Sequence, residues 1–404
     1  MELLYCVYKN VVNWLITEDM GIHRTAKKLN PYDRVFTIEE TISALKSLTP
    51  KGETGVSSYP QIKKEYLYNL NLKDPFFDDL RKRYSTFDEW YKEKSIEGRK
   101  AFVYSNKNKE IEAFLMLKIE GEGINSIPPI PSKKRLKICT LKVANFGNKI
   151  GELFFKIAFK KAVEESLEEI YFTKFIEEND RLVGLSQQFG FKKVSEKDNG
   201  ESVFMKMLIA PSDIKDVQKI RLDFFPSFYD GERVNKFLIP IKPIYHKRLF
   251  RDCPSSSKQT YITEHIGQFI VEGNTILKAY VCNSNTKKIK ENDILLFYRT
   301  SDEMSLTALG TVDRILYDLK SPDEILNHIS KRTVYSKNEI YSFQKPAIVI
   351  VFRLHFYLPR RVNFDDMIKN GILNGSLQSI TQINHKSYLK IKRMSRINQK
   401  YIVW

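Results

Sequence analysis

A strand that runs through a short glycine-bearing loop into a long amphipathic helix is the feature that most restricts what this chain can fold into. The segment RLKICTLKV, after a proline-rich stretch, reads as an apolar strand. Ala144, Asn145, Phe146, Gly147, Asn148, Lys149, Ile150 and Gly151 form the loop, and residues 147–166 carry a helical period with Ile150, Leu153, Phe154, Ile157, Ala158 and Ala162 on one side. A junction of this kind leaves backbone N–H groups free at a helix N-terminus. There they and the helix dipole can hold a pyrophosphate.

The elements around the junction extend the pattern. Polar helical stretches, including PFFDDLRKRYSTFDEWYKEKS, come first. The two apolar runs of AFVYSNKNKEIEAFLMLKIEGEG follow, making a hairpin around residues 106–109. Beyond the amphipathic helix, EEIYFTKF reads as a strand, 180–188 as a helix and SVFMKMLI as a last strand. The order is helices, antiparallel strands, strand, helix, strand, helix, strand, which predicts a mixed sheet with flanking helices over residues 59–210.

Residues 1–50 carry two short strands (11–17 and 33–36), a helix at 19–29 and a second at 37–48, too little to bury a core alone. Residues 216–395 are rich in short strands (FLIPI, QFIVEG, TILKAYVCN, DILLFYR, LTALGTVDRILY and AIVIVFRLHFYLP), which predict a small β-barrel, with a helix over SPDEILNHISKRT capped by Ser321 or Asp323 and a tail at 396–404. The expected class is therefore a multidomain α/β (α+β) protein, as 404 residues also imply.

Apolar residues make up 42% and charged residues 28%, which suits folded domains, and no apolar run approaches the roughly 20 residues of a membrane helix. A cytoplasmic protein is expected. Cys6, Cys139, Cys253 and Cys282 show no paired spacing, so neither a zinc site nor a disulfide framework is indicated and no metal is predicted. A formal charge of +17 points to a phosphate-bearing partner.

The junction resembles the acetyl-CoA-binding motif of the GNAT family of N-acetyltransferases. Phe146, Lys149 and Gly151 stand at the family's three signature positions, and the last of them matches. Downstream, the segment from Asn179 and Asp180 to the closing Gly190-Phe191 is similar to the family's second cofactor motif, with Ser186 at the position where a tyrosine often protonates the departing thiolate. The resemblance implies an acyltransferase that uses acetyl-CoA. Leu141 and Val143 would offer backbone amides to the thioester carbonyl, the loop from Phe146 to Gly151 would hold phosphates, and Asn179 would lie along the pantetheine arm. Proximity supplies much of the rate of such a transfer, so a modest base suffices. Glu112, Glu120 and Glu122 are candidate bases, and Ser186 and Tyr171 candidate acids.

Two further resemblances flank this one. VVNWLITEDMGIHRTAKKL followed by DRVFTIEE looks like the C-terminal end of a PIN-type nuclease, with Asp19 at one acidic position and Asn13 at another, and reads as a remnant acting as a structural cap. LGTVDRILYDLKSPDEILNHISKRTVYSKNEI and NGILNGSLQSITQI resemble PUA-like barrels of the ASCH and EVE type. That likeness implies RNA binding, with tRNA among the candidates, and places Lys331 and Arg332 on phosphate, Tyr335 stacked on a base, and Gln378, Ser379 and Gln382 reading base edges. The leading expectation is acetyl transfer to an RNA-associated amine, an aminoacyl-tRNA or a modified nucleotide. The alternatives are an RNA-binding protein with the transferase fold as scaffold, and a protein N-acetyltransferase acting as a toxin.

Overall fold

The structure is a computed structural model that describes residues 2–9, 11–12, 15–29, 35–38, 41, 61–106, 108–144, 150–178, 180–254, 268–270, 274–329, 335, 337–342 and 346–404. The chain divides into two compact units, Met1–Ser58 with Ser255–Ile262, and Tyr59–Pro254 with Thr263–Trp404. In the first, α1 (Glu2–Tyr8), β1 (Leu15–Ile16), α2 (Met20–Leu29) and β2 (Val35–Phe36) enclose a small core of Leu4, Ala26 and Val35. β1 and β2 pair in parallel over two residues each, shorter than the sequence suggests. The helix expected at 37–48 lies mostly outside the described residues.

The second unit holds two large sheets. The first has eight strands in the order β12-β3-β4-β5-β6-β7-β9-β8, comprising β3 (Gln61–Tyr66), β4 (Lys100–Ser105), β5 (Ile111–Glu120), β6 (Arg135–Val143), β7 (Glu169–Lys174), β8 (Lys192–Glu196), β9 (Ser202–Met207) and β12 (Gln268–Ile270). Its strands pair antiparallel except β6 with β7. Short helices α3 (Asp78–Arg83) and α4 (Phe87–Ile96) cover one face, where Phe77, Phe87 and Tyr91 pack on Val103, Phe114 and Met116. The opposite face carries α5 (Ile150–Glu164) and α6 (Arg181–Gln188). All six apolar positions read from the helical period of α5 are buried. Phe155 and Phe159 are buried too, against Phe189, Phe191 and Phe225, so α5 is enclosed on a second side by aromatic rings. The carboxylate of Asp180 starts α6 by accepting the N–H groups of Leu182 and Val183 at 3.0 and 3.1 Å.

After α7 (Val217–Asp223) and β10 (Phe228–Tyr229) come β11 (Lys236–Ile241), α8 (Pro243–Leu249), β13 (Leu277–Cys282), β14 (Ile294–Arg299), β15 (Ser305–Leu319), α9 (Pro322–Ile329), α10 (Lys337–Tyr341), β16 (Ala347–Asn363), α11 (Phe364–Lys369), β17 (Thr381–Ile383), α12 (His385–Ser395) and β18 (Ile402–Val403). Six of these strands form a mixed sheet ordered β13-β16-β15-β14-β11-β17, with β11 parallel to β14. Ser321 caps α9, its hydroxyl accepting the N–H of Glu324 at 3.1 Å. Register shifts bend the long β15–β16 hairpin, yet the edge strands β13 and β17 do not pair with each other among the described residues, so the expected barrel is here an open, bent sheet. One expected strand of this sheet goes elsewhere. QFIVEG supplies β12, which adds antiparallel to β3 at the edge of the first sheet.

Buried polar groups tie the two sheets together. On α5, Glu152 accepts the N–H of Leu277 at 2.9 Å, and Lys156 pairs with Asp252 at 2.9 Å and also donates to Asn274. Asp313 receives Arg221 at 2.7 Å and Arg353 at 3.0 Å, and the Arg353 guanidinium stands 5.8 Å from the Phe189 ring centre. Such groups persist out of water only when partnered, so these pairs fix one relative placement of the sheets.

Candidate active site

The parallel strands β6 and β7 begin together and then part. β6 pairs with β5 along its whole length but with β7 only at Leu136↔Ile170 and Lys137↔Tyr171. From Ile138 onward its other edge has no partner strand among the described residues. The β5–β6 register also slips between Met116↔Thr140 and Leu117↔Ile138, which leaves Cys139 as an extra residue. A bulge of this kind turns a peptide group out of the ladder and re-aims its N–H.

The divergence opens a cleft of about 450 Å³ that passes through the sheet. On one face its walls are Asp79, Arg83, Tyr84, Phe87 and Trp90 of the α3–α4 region, with Lys118, Glu120, Lys137 and Cys139 of β5 and β6. On the other they are Leu141, Phe172 and Leu182. This volume suits a small organic ligand.

Charge is organised around one carboxylate. Tyr171 donates its hydroxyl to Glu120 Oε1, Lys118 Nζ stands 3.1 Å from Oε2, and Lys137 Nζ lies 3.8 Å from Oε1. Burial raises the Glu120 carboxyl, but Tyr171, Lys137 and Lys118 more than offset it and hold it below the usual carboxylate range. Glu120 therefore stays ionised at neutral pH. The same burial and the bond to Glu120 push the Tyr171 phenol up, so it remains a proton-bearing donor. Burial pushes the Cys139 thiol up to about 11, which keeps it protonated and a poor nucleophile. Across the cleft Tyr84 donates to Glu201 at 2.8 Å, and Lys142 pairs with Asp79 at 2.9 Å.

The residues singled out in the sequence fall into several places. Tyr171 touches the cleft through Glu120, and Leu141 lines it. Glu112 stands at the far end of β5, eight residues from Glu120 or about 26 Å along the strand, and is not one of the cleft's walls. Glu122 is exposed. Ser186 is fully buried with its hydroxyl donated to the Val183 carbonyl at 2.8 Å, so it faces the packed side of α6 and not the opening. Val143 packs against the core beside α5, and Ile150 is buried in it. A Cβ on Gly151 would stand 2.8 Å from a Leu185 methyl, so this glycine serves the close approach of α5 and α6. Phe146, Gly147, Asn148, Lys149 and Asn179 lie outside the described residues, as do Lys331 and Arg332.

In the second sheet Tyr335 is packed away, its ring 4.7 Å from that of Tyr245 and against the core of Ile325, Ile329 and Ile340, instead of being offered for stacking. Gln378, Ser379 and Gln382 are exposed, with Gln382 donating to Asn235 at 3.1 Å. In the N-terminal unit the Asp19 carboxylate accepts the N–H groups of Gly21 and Ile22 at 2.7 and 3.3 Å, a helix-capping role. Among the described residues no cluster of three or more His, Cys, Asp or Glu could hold a metal, and no helix is long and apolar enough to cross a membrane.

Sequence reasoning misses the Cys139 bulge and the α3–α4 wall. The PFFDDLRKRY stretch does carry a signal, since its aromatic residues are too many for a solvated helix.

No family model and no curated protein matches this chain. The solved structures that resemble it include ASCH from Zymomonas mobilis, at 12% identity over 39% of this chain and 94% of that one, with a TM-score of 0.30. Others are aminoglycoside 6'-acetyltransferase type Ii, at 19% identity, 37% and 98% coverage and a TM-score of 0.28, and a GNAT-family acetyltransferase from Listeria monocytogenes, at 16% identity, 36% and 95% coverage and a TM-score of 0.24.

Proposed function

We propose that the cleft between β6 and β7 is the site of an acyl-CoA-dependent N-acyltransferase, with acetyl-CoA as donor, and that the second sheet presents an RNA-associated amine to it. The parting of β6 from β7, joined to the bulge at Cys139, carries the reading. A free strand edge is what an extended arm with amide groups can pair with, as an added strand would. The pantetheine arm has two such amides. The redirected peptide at Cys139 and Thr140, slightly upstream of the 141–143 stretch favoured by the sequence, would then bond the carbonyl oxygen where charge develops during attack. The 145–149 loop would hold the phosphates.

The amine nitrogen attacks the thioester carbon, a C–N bond forms as the C–S bond breaks, and the proton lost by nitrogen ends on the departing thiolate. In this reading Glu120, ionised and lining the cleft, accepts a hydrogen bond from the incoming amine. The cleft's described side chains include no strong acid, so proximity and carbonyl polarisation supply the rate. The RNA-associated part of the reading is supported by the +17 charge and by the exposed Gln378, Ser379 and Gln382.

Calorimetry with acetyl-CoA, followed by incubation of labelled acetyl-CoA with whole-cell RNA and protein, tests both halves. The expected results are micromolar binding and label retained in RNA. Absence of CoA binding overturns the enzyme, and label in protein alone overturns the RNA-associated acceptor.

A further inference from the structure

The end of the cleft farthest from the start of α5 gathers Arg99, Lys118 and Lys137 with the carboxylate of Glu120. Eight cationic side chains and three carboxylates line the cleft, and Arg83, Lys94 and Lys174 are paired with Glu177, Glu93 and Asp180 just outside it. Arg99, Lys118 and Lys137, together with Glu120, all act electrostatically on Cys139. Lys118 and Lys137 share the carboxylate of Glu120, Lys118 also stands 4.0 Å from the exposed Glu122, and Arg99 leans on Glu97 at 2.8 Å. Two lysine ammoniums flank the one buried carboxylate there, the other carboxylate, Glu122, standing exposed at 4.0 Å, so cationic donors concentrate at the point where β6 and β7 separate.

Position decides what this charge is for. Lys137 precedes Val143 by six residues, about 20 Å along the strand, so its ammonium is far from the helix terminus where the donor's phosphates would sit. It also lies on the other side of the sheet. Lys118, Glu120 and Lys137 share the face of Met116 and Cys139, covered by α3 and α4, whereas α5 and α6 pack on the opposite face. Tyr84, Phe87 and Trp90 wall the same space with rings that suit a planar or apolar body.

We infer that the acceptor is an amine that also bears an acidic group, a phosphate or a carboxylate, seated by Arg99, Lys118 and Lys137. This rests on the transferase reading and names the acceptor class for that site. Glu120 would orient the N–H of the attacking amine.

The test measures acetyl transfer from acetyl-CoA to matched small amines: 2-aminoethyl phosphate and β-alanine against the neutral 2-aminoethanol and β-alaninamide. The expected kcat/KM is at least tenfold higher for the acidic member of one pair, and the pair that shows it separates phosphate from carboxylate. In Lys118→Gln and Lys137→Gln that ratio narrows at least fivefold, chiefly through KM, and Arg99→Lys preserves more of it than Arg99→Gln. Melting curves confirm that the variants are folded. A ratio near one in the unaltered protein, or one left intact in the lysine variants, overturns the acidic-acceptor inference alone. Failure to bind acetyl-CoA overturns the transferase reading and this inference with it.

Discussion

Gly190, at the turn from α6 to β8, offers a sharp measure of how tightly the two sheets are joined. Its φ of +82° lies where side chains are rarely tolerated, and a Cβ there would meet Leu222 O at 2.7 Å and Asp223 Cα and O at 2.8 Å. Those are backbone atoms at the end of α7, and Lys206, fully buried, donates to the same Asp223 carbonyl at 2.6 Å. Gly190→Ala therefore adds a conformational cost of about 1–2 kcal/mol to an overlap that only backbone movement relieves, costing about another 1–3 kcal/mol. We expect a loss of about 2–5 kcal/mol in all. Gly184 is the matched control, because it lies within α6 and a Cβ added there would meet nothing within 4 Å. Gly184→Ala should be neutral or stabilising by about 0.5–1 kcal/mol. Urea unfolding followed by circular dichroism compares the two. If Gly190→Ala stays within about 0.5 kcal/mol of the parent, the tight contact between α7 and the α6–β8 turn is not real.

Two other outcomes follow from buried charge and buried imidazole. His355 has both nitrogens occupied, by Thr311 and the Pro226 carbonyl at 2.8 Å each, and burial pushes it down to about 3, as it does His246. A histidine depressed on folding leaves the unfolded chain to take up the proton first, so stability present above pH 6.5 is lost as pH falls toward 3; for two such groups the loss between pH 7 and 5 is about 4 kcal/mol, and a flat urea midpoint over that range refutes it. Asp252 lies among Lys156, the fully buried Lys278 and the Tyr357 hydroxyl. Asp252→Asn should cost about 3–5 kcal/mol by removing the carboxylate that both Lys156 and the deeply buried Lys278 face, and Lys156→Met less, because Asp252 keeps Lys278 and the Tyr357 hydroxyl beside it; equal or reversed costs in unfolding experiments would contradict this charge balance.

The strand–loop–helix at the heart of the first sheet is legible because its signals are local. A nine-residue apolar strand, a polar loop and a helical period each write themselves into neighbouring residues, and the six core positions of α5 follow from spacing alone. Ser186 escapes such reading for the opposite reason. Its position in a motif says which helix it occupies but not which side of that helix packs, and here its hydroxyl turns back to Val183. Likewise the Cys139 bulge depends on register between β5 and β6, and Tyr335 on what α8 brings against it through Tyr245. Glu120 is visible in the sequence as one of three glutamates. Only the pairing of β6 with β7 at Lys137↔Tyr171 shows why it, and not Glu112, meets both a lysine and the phenol.

The placement of β12 beside β3 changes how the protein can be taken apart. A fragment ending near residue 210 would contain every wall of the cleft and would still expose the backbone of β3 along an unpaired edge. Bare edges recruit strands from other molecules, so such a fragment should self-associate. The half that holds the cleft borrows its final strand from the half that follows it, and the two are best regarded as one inseparable folding partnership.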